Sequence, residues 1–230
     1  MKMSLKNKTL NKNVLALKEQ IDNSLELLLS LNLIQFYNPV NVEYNEADDI
    51  SKISWFNHIG GREVSSNAFL TIKQYLAILE SGAYHVLMND YSIIRASFTF
   101  KHNKLITQNL LWWPCPVKVD FGDNGEDSPA EIVSLFLEDT ENFRMRSPVR
   151  IDFDKDNDTE DHPKAHIHTQ HYKSRMNTVR PICFNTFLKF IFNHYYPTLK
   201  INNKIFSSCP INFESSKEIS YTLKEKLMIF

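Results

Sequence analysis

Several features that commonly reveal a protein's function are scarce in this sequence. Only five of the 230 residues are glycine, which argues against a glycine-rich loop that cradles the phosphates of a nucleotide. The three cysteines, Cys115, Cys183 and Cys209, contain no Cys-x-x-Cys pair, so neither a structural zinc site nor a disulfide framework is indicated. The formal net charge of −1 excludes a global basic field for nucleic acids and leaves only local patches.

Long apolar runs are also missing. No stretch approaches the ~20 apolar residues that a membrane-spanning helix needs, and no apolar signal region follows the basic residues 1–9. A few scattered cysteines are typical of a reducing compartment. We therefore expect a soluble, cytoplasmic protein that makes no contact with a membrane.

The sequence contains enough apolar residues to form one hydrophobic core. Hydrophobic residues make up 43% of the chain, with sixteen Phe and nine Tyr. A length of 230 residues suits one domain of ordinary size. We expect residues 1–230 to form a single α+β domain, with an N-terminal helical segment, 1–39, and a C-terminal tail, 198–230, as candidate additions that dock a partner. The tail mixes a short strand-like piece with Lys- and Glu-rich sequence.

Helical spacing of apolar residues predicts four helices. Leucines predict the first over residues 10–37, and their stripe either packs in the core or docks a partner chain. Further helices are predicted over residues 66–79, over residues 129–139, and between Pro181 and Pro197. Residues 40–64 carry no clear pattern and are predicted to be irregular.

Alternating polar and apolar residues predict an antiparallel meander over residues 83–87, 92–100 and 105–113. In its second strand, Arg95, Ser97 and Thr99 alternate with apolar residues, so the two faces of the strand differ. The order of elements predicts an α+β fold in which an antiparallel sheet, a meander plus a hairpin, carries helices packed on one face.

The hairpin is the most distinctive stretch. Half of the eight histidines fall within residues 162–171, after a strand pattern over residues 149–154. Because side chains on a strand point alternately to its two faces, Arg150, Asp152 and Asp154 share one face of the first strand. His166 and His168 share one face of the second. An acidic turn joins the strands, so pairing would bring carboxylates and imidazoles together.

Three interpretations of this cluster stay open. Asp152, Asp154, His162, His166 and His168 form a sensible ligand set for Mn²⁺, Mg²⁺ or Zn²⁺, which would activate water for phosphodiester cleavage. Without a metal, His166 and His168 would act as general acid and base while Arg150 holds a phosphate and Asp152 and Asp154 complete the catalytic set. The third interpretation is a buried polar network that only ties the strands together. His171 lies an odd number of residues from the other two histidines and is expected to face away.

Other candidate residues carry less weight. Consecutive Trp112 and Trp113 face opposite sides of a strand, so at most one is free to stack on a base, and both are expected in the core. Cys115 lies between two prolines without a paired base, which argues against a nucleophilic role. Scattered cations are expected to form a local phosphate-binding patch or a solvated face: Arg95, Arg144, Arg146, Lys173, Arg175 and Arg180.

Five motifs together resemble one bacterial family, the domain of unknown function 2290: SGAYH at 81–85, IRASF at 94–98, WWP at 112–114, SPVRIDFD at 147–154 and HPKAHIH at 162–168. The resemblance implies a protein encoded beside a helicase in antiphage defence cassettes. It carries over no catalytic residue, so the roles above rest on chemistry alone.

Two functions of different classes follow as expectations. The first is an effector subunit that works with the helicase, a nuclease with an Asp/His/Arg site that reaches DNA or RNA through the complex. The second is a non-catalytic adaptor that binds and regulates the helicase or senses nucleic acid. An enzyme is expected to open its histidine face to a cleft, whereas an adaptor is expected to bury it and expose an apolar patch elsewhere.

Overall fold

A computed structural model of the protein describes residues 11–55, 71–119, 127–159, 162–169, 174–178, 180–202 and 205–213. Within these residues the dominant element is a nine-stranded sheet in which every pairing is antiparallel. The strands are β1 (Ile34–Tyr37), β2 (Val40–Asn45), β3 (Ile50–Trp55), β4 (Val86–Met88), β5 (Ile93–Lys101), β6 (Lys104–Trp113), β7 (Val149–Asp154), β8 (Ala165–Thr169) and β9 (Met176–Asn177).

The long strand β5 organises the sheet. Strands β5 to β9 follow one another as neighbours, in the order of the chain. On its other side β5 is shared by two strands: β4 pairs with its beginning, through Ile93 and Ile94, and β3 pairs with its end, through residues 98–101. Strand β1 extends the sheet beyond β4, and β2 extends it beyond β3. The expected meander and hairpin therefore join into one sheet.

Four α-helices accompany the sheet: α1 (Lys12–Ser30), α2 (Ile72–Ser81), α3 (Pro129–Phe136) and α4 (Phe184–Tyr195). Side chains of Thr71 and Ser128 accept from backbone N–H groups at the starts of α2 and α3, and each forms a complete capping box. Helix α2 ends at Gly82, whose φ of +63° is the left-handed conformation that glycine adopts without strain.

The two faces of the sheet carry different cores. Ala96, Phe98 and Phe100 of β5 belong to a large cluster with the apolar sides of α1 and α4. Ile93, of the opposite parity, belongs to a second cluster with α2 and α3, which also contains Leu111. The predicted α+β fold with an antiparallel sheet and helices packed on one face is confirmed, and the second cluster covers one end of the other face.

Two sequence-based expectations were wrong. The helix predicted over residues 10–37 ends at Ser30, and Ile34–Tyr37 forms β1 instead. Asn32 takes a left-handed φ of +53° and the Leu33 N–H bonds the Leu28 carbonyl, so the chain leaves the helix although its apolar pattern continues. Residues 40–55 are not irregular but form the hairpin of β2 and β3.

The remaining boundaries differ by a few residues. The first meander strand, predicted over residues 83–87, is the short β4, and α3 ends at Phe136 rather than near residue 139. Residues 56–70, which include the start of the predicted helix 66–79, lie outside the described residues. The described residues of the tail, 198–202 and 205–213, contain no strand. In the part of the chain that the structure describes, no helix has both the length and the apolar character to cross a bilayer.

The residue that directly precedes β4 is a buried titratable group, His85. His85 is fully buried; its Nε2–H donates to the Ala96 carbonyl oxygen over 3.0 Å, and its ring lies edge-on to Trp55. Burial lowers the pKa of His85 to about 4 from the usual 6.5, because the charged imidazolium is poorly solvated there.

This burial predicts a loss of stability in mild acid. Between pH 6.5 and pH 4 the unfolded chain binds a proton at His85 that the folded protein does not, so the free energy of unfolding falls as pH falls through this window. His85→Gln, which keeps a donor for Ala96, should remove up to about 3 kcal/mol of that fall. Urea denaturation from pH 8 to pH 4 measures the effect, and wild-type and variant curves that stay parallel would contradict it.

Candidate functional site

The uncovered part of the second sheet face is polar. Cross-strand registers place Arg95, Leu111, Arg150 and His168 in one row across β5, β6, β7 and β8. The adjacent row consists of Ser97, Asn109, Asp152 and His166. Because neighbours in a row lie on the same face, alternation along each strand produces a polar floor in the middle of the sheet.

Pairing of β7 with β8 sets the centre of this floor. Arg150 lies opposite His168, and Asp152 lies opposite His166. The sequence predicted that the two strands pair and that these residues share faces, but not this register. Asp152 Oδ2 lies 2.8 Å from Arg150 Nε, 3.3 Å from His168 Nε2 and 3.8 Å from His166 Nε2. The two histidine Nε2 atoms are 2.9 Å apart. Asn109 Nδ2 donates to the other Asp152 oxygen, Oδ1, over 2.6 Å, which fixes the carboxylate.

Hydrogen bonds to the outer atoms assign the protons of the two imidazoles. A carbonyl oxygen only accepts, so His166 Nδ1, 2.5 Å from the Pro163 oxygen, carries a hydrogen, and in the neutral ring Nε2 presents a lone pair. A guanidinium only donates, so His168 Nε2, 2.9 Å from Arg150 Nη2, accepts. Lone pairs of His166, His168 and Asp152 therefore point at one another.

The charge state at neutral pH keeps these lone pairs available. Burial lowers the pKa of His166 to about 4 and also lowers that of His168, so both rings are neutral near pH 7. Burial alone would raise the pKa of Asp152, but its close contact with His168 and the charge of Arg150 outweigh this effect and hold the value at about 2. The site is therefore an ionised carboxylate beside two neutral imidazoles.

A cavity of about 440 Å³ opens over this floor. Asp152 and His166 line it, together with cations from three other positions of the sheet region, Lys52, Arg95 and Arg175. The remaining side chains that line it are mostly polar: Trp55, Ser97, Thr99, Thr107, Gln108, Asn109, Arg150, Phe153, Asp154, Asn157 and His162. Its volume falls in the range of small-molecule sites, ~300–1,000 Å³.

Three of the five predicted ligands converge. Asp152, His166 and His168 each offer one atom, and these atoms lie within 4.8 Å of one another, so the trio could hold a metal ion. Asp154 lies outside the trio and accepts from the Asp156 N–H and from Asn157 Nδ2 in the β7–β8 turn. His162 lies beside the trio, with its ring centroid 4.8 Å from that of His166.

The remaining residues singled out in the sequence lie in the core, on the surface or in the cavity lining. Trp112 and Trp113 are both buried, as expected. Among the predicted basic patch, Arg95 and Arg175 line the cavity, whereas Arg146 pairs with Asp90 and Arg180 is exposed. His171 and Lys173 lie outside the described residues.

Sequence reasoning missed Lys52 and Asn109. Lys52 lies in β3, within the segment that the sequence predicted to be irregular. Asn109 is a polar residue of β6, and it reaches the site because it pairs with Asp152 across the strands. A local sequence pattern does not reveal which residues pair across strands.

The geometry predicts unequal effects for two neighbouring carboxylates. Arg150 is buried and pairs with Asp152, so Asp152→Asn should lower the free energy of unfolding by about 3 kcal/mol, since it leaves a buried guanidinium without its counter-charge. Asp154→Asn, in the half-buried turn, should cost less than about 1 kcal/mol. Chemical denaturation of both variants measures the difference. Equal costs would show that the Arg150–Asp152 pair contributes little.

Comparison with known proteins adds a family but no function. No curated protein and no solved structure matches the chain. A family model matches residues 33–230, a span that begins after α1 and includes all nine strands and the Asp152, His166 and His168 trio. The resemblance expected from the five motifs is thereby confirmed. The chain belongs to the family described as Uncharacterized conserved protein (DUF2290).

Proposed function

We propose that this protein is a cytoplasmic, metal-dependent phosphodiesterase that cleaves nucleic acid at the Asp152, His166 and His168 trio. One observation carries the proposal. Three atoms that each present a lone pair converge beside a cavity, which Asp152 and His166 line and whose other charged side chains are mainly cations. A divalent cation between the lone pairs would remove their mutual repulsion, and the cations would hold a phosphate above it.

The spacing of the three atoms suits a small transition-metal ion. Ligand atoms of a tetrahedral site with bonds of ~2.1 Å lie about 3.4 Å apart. The three separations, 2.9, 3.3 and 3.8 Å, lie on both sides of that value. Two imidazoles and one carboxylate favour Zn²⁺ or Mn²⁺ over Mg²⁺, which prefers oxygen ligands. Three protein ligands also leave a position for water, as in catalytic zinc sites.

Hydrolysis then follows from the residues present. A divalent ion held by Asp152, His166 and His168 would acidify a water molecule that supplies the oxygen for the new bond to phosphorus. The phosphorus–oxygen bond to the leaving sugar would break as that bond forms, and the leaving oxygen would take up the proton that the water gives up. Arg150 contacts His168 Nε2, the atom that His168 would offer to a metal ion. With that atom engaged, the guanidinium would turn toward the phosphate, while Asp152 keeps it beside the site.

Metal addition and removal test the trio. Zn²⁺ or Mn²⁺ at a hundredfold excess over Kd should stabilise the wild type by ~2.7 kcal/mol, seen as a higher melting temperature. His166→Gln and His168→Gln should each remove that response, and cleavage of single-stranded DNA or RNA should fall in parallel and stop with EDTA. His194→Gln, on the exposed side of α4, is the matched control and should keep both.

Contrary outcomes separate the alternatives. A wild type whose melting ignores every divalent ion removes the metal site. Cleavage that resists EDTA yet requires His166 favours general acid–base catalysis by the same residues. A folded protein that binds nucleic acid but does not cleave it favours the non-catalytic adaptor function.

The second candidate, a helicase-binding subunit, is favoured by exposed apolar side chains at the N-terminal end of the described chain. Four side chains are each close to half exposed: Leu15 and Leu29 of α1, Leu31 just after this helix, and Phe36 of β1. Helix α1 lies outside the residues that the family model matches. We propose that this surface docks the helicase that the family resemblance implies, which places the cavity on the nucleic acid that the helicase handles.

Copurification with the helicase tests this surface. The complex should survive nuclease treatment, because apolar contact rather than shared nucleic acid holds it together. Leu29→Ser combined with Phe36→Ser should release the helicase, whereas Leu135→Ser, an exposed position on α3, should not. A complex that dissolves with nuclease, or that both sets of variants leave intact, contradicts the docking surface.

A further inference from the structure

Arg95 is the most unusual charge in the described chain. Its side chain is only 1% exposed, yet it lines the cavity. Nε and Nη1 have no hydrogen-bond partner among the described residues, and the guanidinium carbon lies 4.4 Å above the ring of Trp55. Buried Arg150 and half-buried Arg146 differ from Arg95 in having a carboxylate partner. Arg150 pairs with Asp152, and Arg146 pairs with Asp90.

A buried cation without a carboxylate is costly, so its presence calls for a physical reason. Burial lowers the pKa of Arg95 to about 10, and no carboxylate among the described residues opposes that shift. Stacking on Trp55 offsets part of the desolvation cost but satisfies no N–H group. A planar guanidinium with unused donors that faces a cavity matches an oxyanion, since its N–H groups bind two oxygens at once.

Other donors surround Arg95 on the same part of the floor. Ser97 and Thr99 follow it on the same face of β5, and Lys52 lies opposite Thr99 on β3. All three line the cavity and are partly exposed to it. We call Lys52, Arg95, Ser97 and Thr99 the Arg95 pole. Two cations and two hydroxyl groups favour a phosphate over a singly charged carboxylate.

The Arg95 pole and the metal trio lie at opposite sides of the cavity. Arg95 leans toward β3, because its guanidinium stacks on Trp55. Arg150 leans toward β8, because it contacts His168. Strands β5 and β7 are separated by β6, so two strand spacings, about 10 Å, divide their backbones. A ligand that engages both sides therefore carries two anionic groups, one at each end.

Building on the proposed function, we infer that the Arg95 pole binds the terminal phosphate of the substrate while the trio acts on the next phosphodiester. The substrate class is then a phosphorylated end: a nucleic acid strand that carries a terminal phosphate, or a short phosphorylated nucleotide. An internal segment of a strand presents only singly charged diesters and gains less from the pole. The site acts from an end rather than within a strand.

Binding without metal tests the pole separately from cleavage. The full-length protein in EDTA is titrated with a short fluorescent oligonucleotide that carries a 5′-phosphate, a 3′-phosphate or neither. One phosphorylated form should bind at least tenfold more tightly than the unphosphorylated form. Arg95→Gln should abolish the preference, whereas His166→Gln, which alters only the trio, should retain it. Equal affinity of the wild type for all three oligonucleotides would overturn the inference.

A second set of variants covers the chance that Arg95→Gln misfolds. Arg95→Lys keeps the positive charge but loses the planar array of N–H donors. Lys52→Gln removes the second cation of the pole at a half-buried position. Each should weaken the preference severalfold and keep the wild-type melting temperature within a few degrees. An unchanged preference in both variants overturns the inference.

A stability measurement separates binding from packing. Since a buried unpaired charge costs stability, Arg95→Met should melt no lower than the wild type. Marked destabilisation would assign Arg95 to packing instead.

Competition identifies the source of the phosphate. A nucleoside 5′-monophosphate that competes as well as the oligonucleotide supports a nucleotide-sized substrate, and much weaker competition supports a strand end. Inorganic phosphate should compete weakly through the pole alone. Metal-dependent cleavage without any terminal-phosphate preference would overturn this inference and leave the proposed function. A preference without cleavage would support the pole and overturn the proposed chemistry.

Discussion

Register between β7 and β8 is the constraint on which the site depends. Because Asp152 lies opposite His166 and Arg150 opposite His168, three potential ligand atoms and one guanidinium meet on one face. A shift of one residue would turn the side chains of one strand to the other face, into the core formed by Ile151 and Ile167. The apolar residues that pack against α1 and α4 therefore fix the chemistry on the opposite side of the sheet.

Electrostatics explains why the site tolerates so many charges in a small volume. Arg150 and Asp152 neutralise each other, and burial keeps His166 and His168 neutral near pH 7. The net charge of this group is close to zero without an ion. A divalent cation would make it positive, which favours a phosphate beside it. Arg95 adds a further positive charge at the other side of the cavity, where no described carboxylate balances it.

Much of this arrangement could be predicted from the sequence, because a strand has a period of two. Alternation alone placed Arg150 with Asp152 and His166 with His168, and it separated Arg95 from Phe98. Long-range pairing could not be predicted in the same way. Strand β3 lies beside β5 although α2 and β4 come between them in the chain, so Lys52 reaches the cavity through a contact that no local pattern encodes. The turn likewise holds Asp154 away from the trio, for reasons specific to its own hydrogen bonds.

The floor of the cavity also has a consequence for how the protein is made. Its side chains come mainly from β3, β5, β6, β7 and β8, and they are spread from Lys52 to Arg175 along the chain. No single hairpin contains the cavity, and a chain emerging from the ribosome has none until β8 has been synthesised and has paired. Loop closure over such separations is slow compared with forming a local hairpin. The cavity therefore assembles only after β8 has been synthesised and has paired with β7.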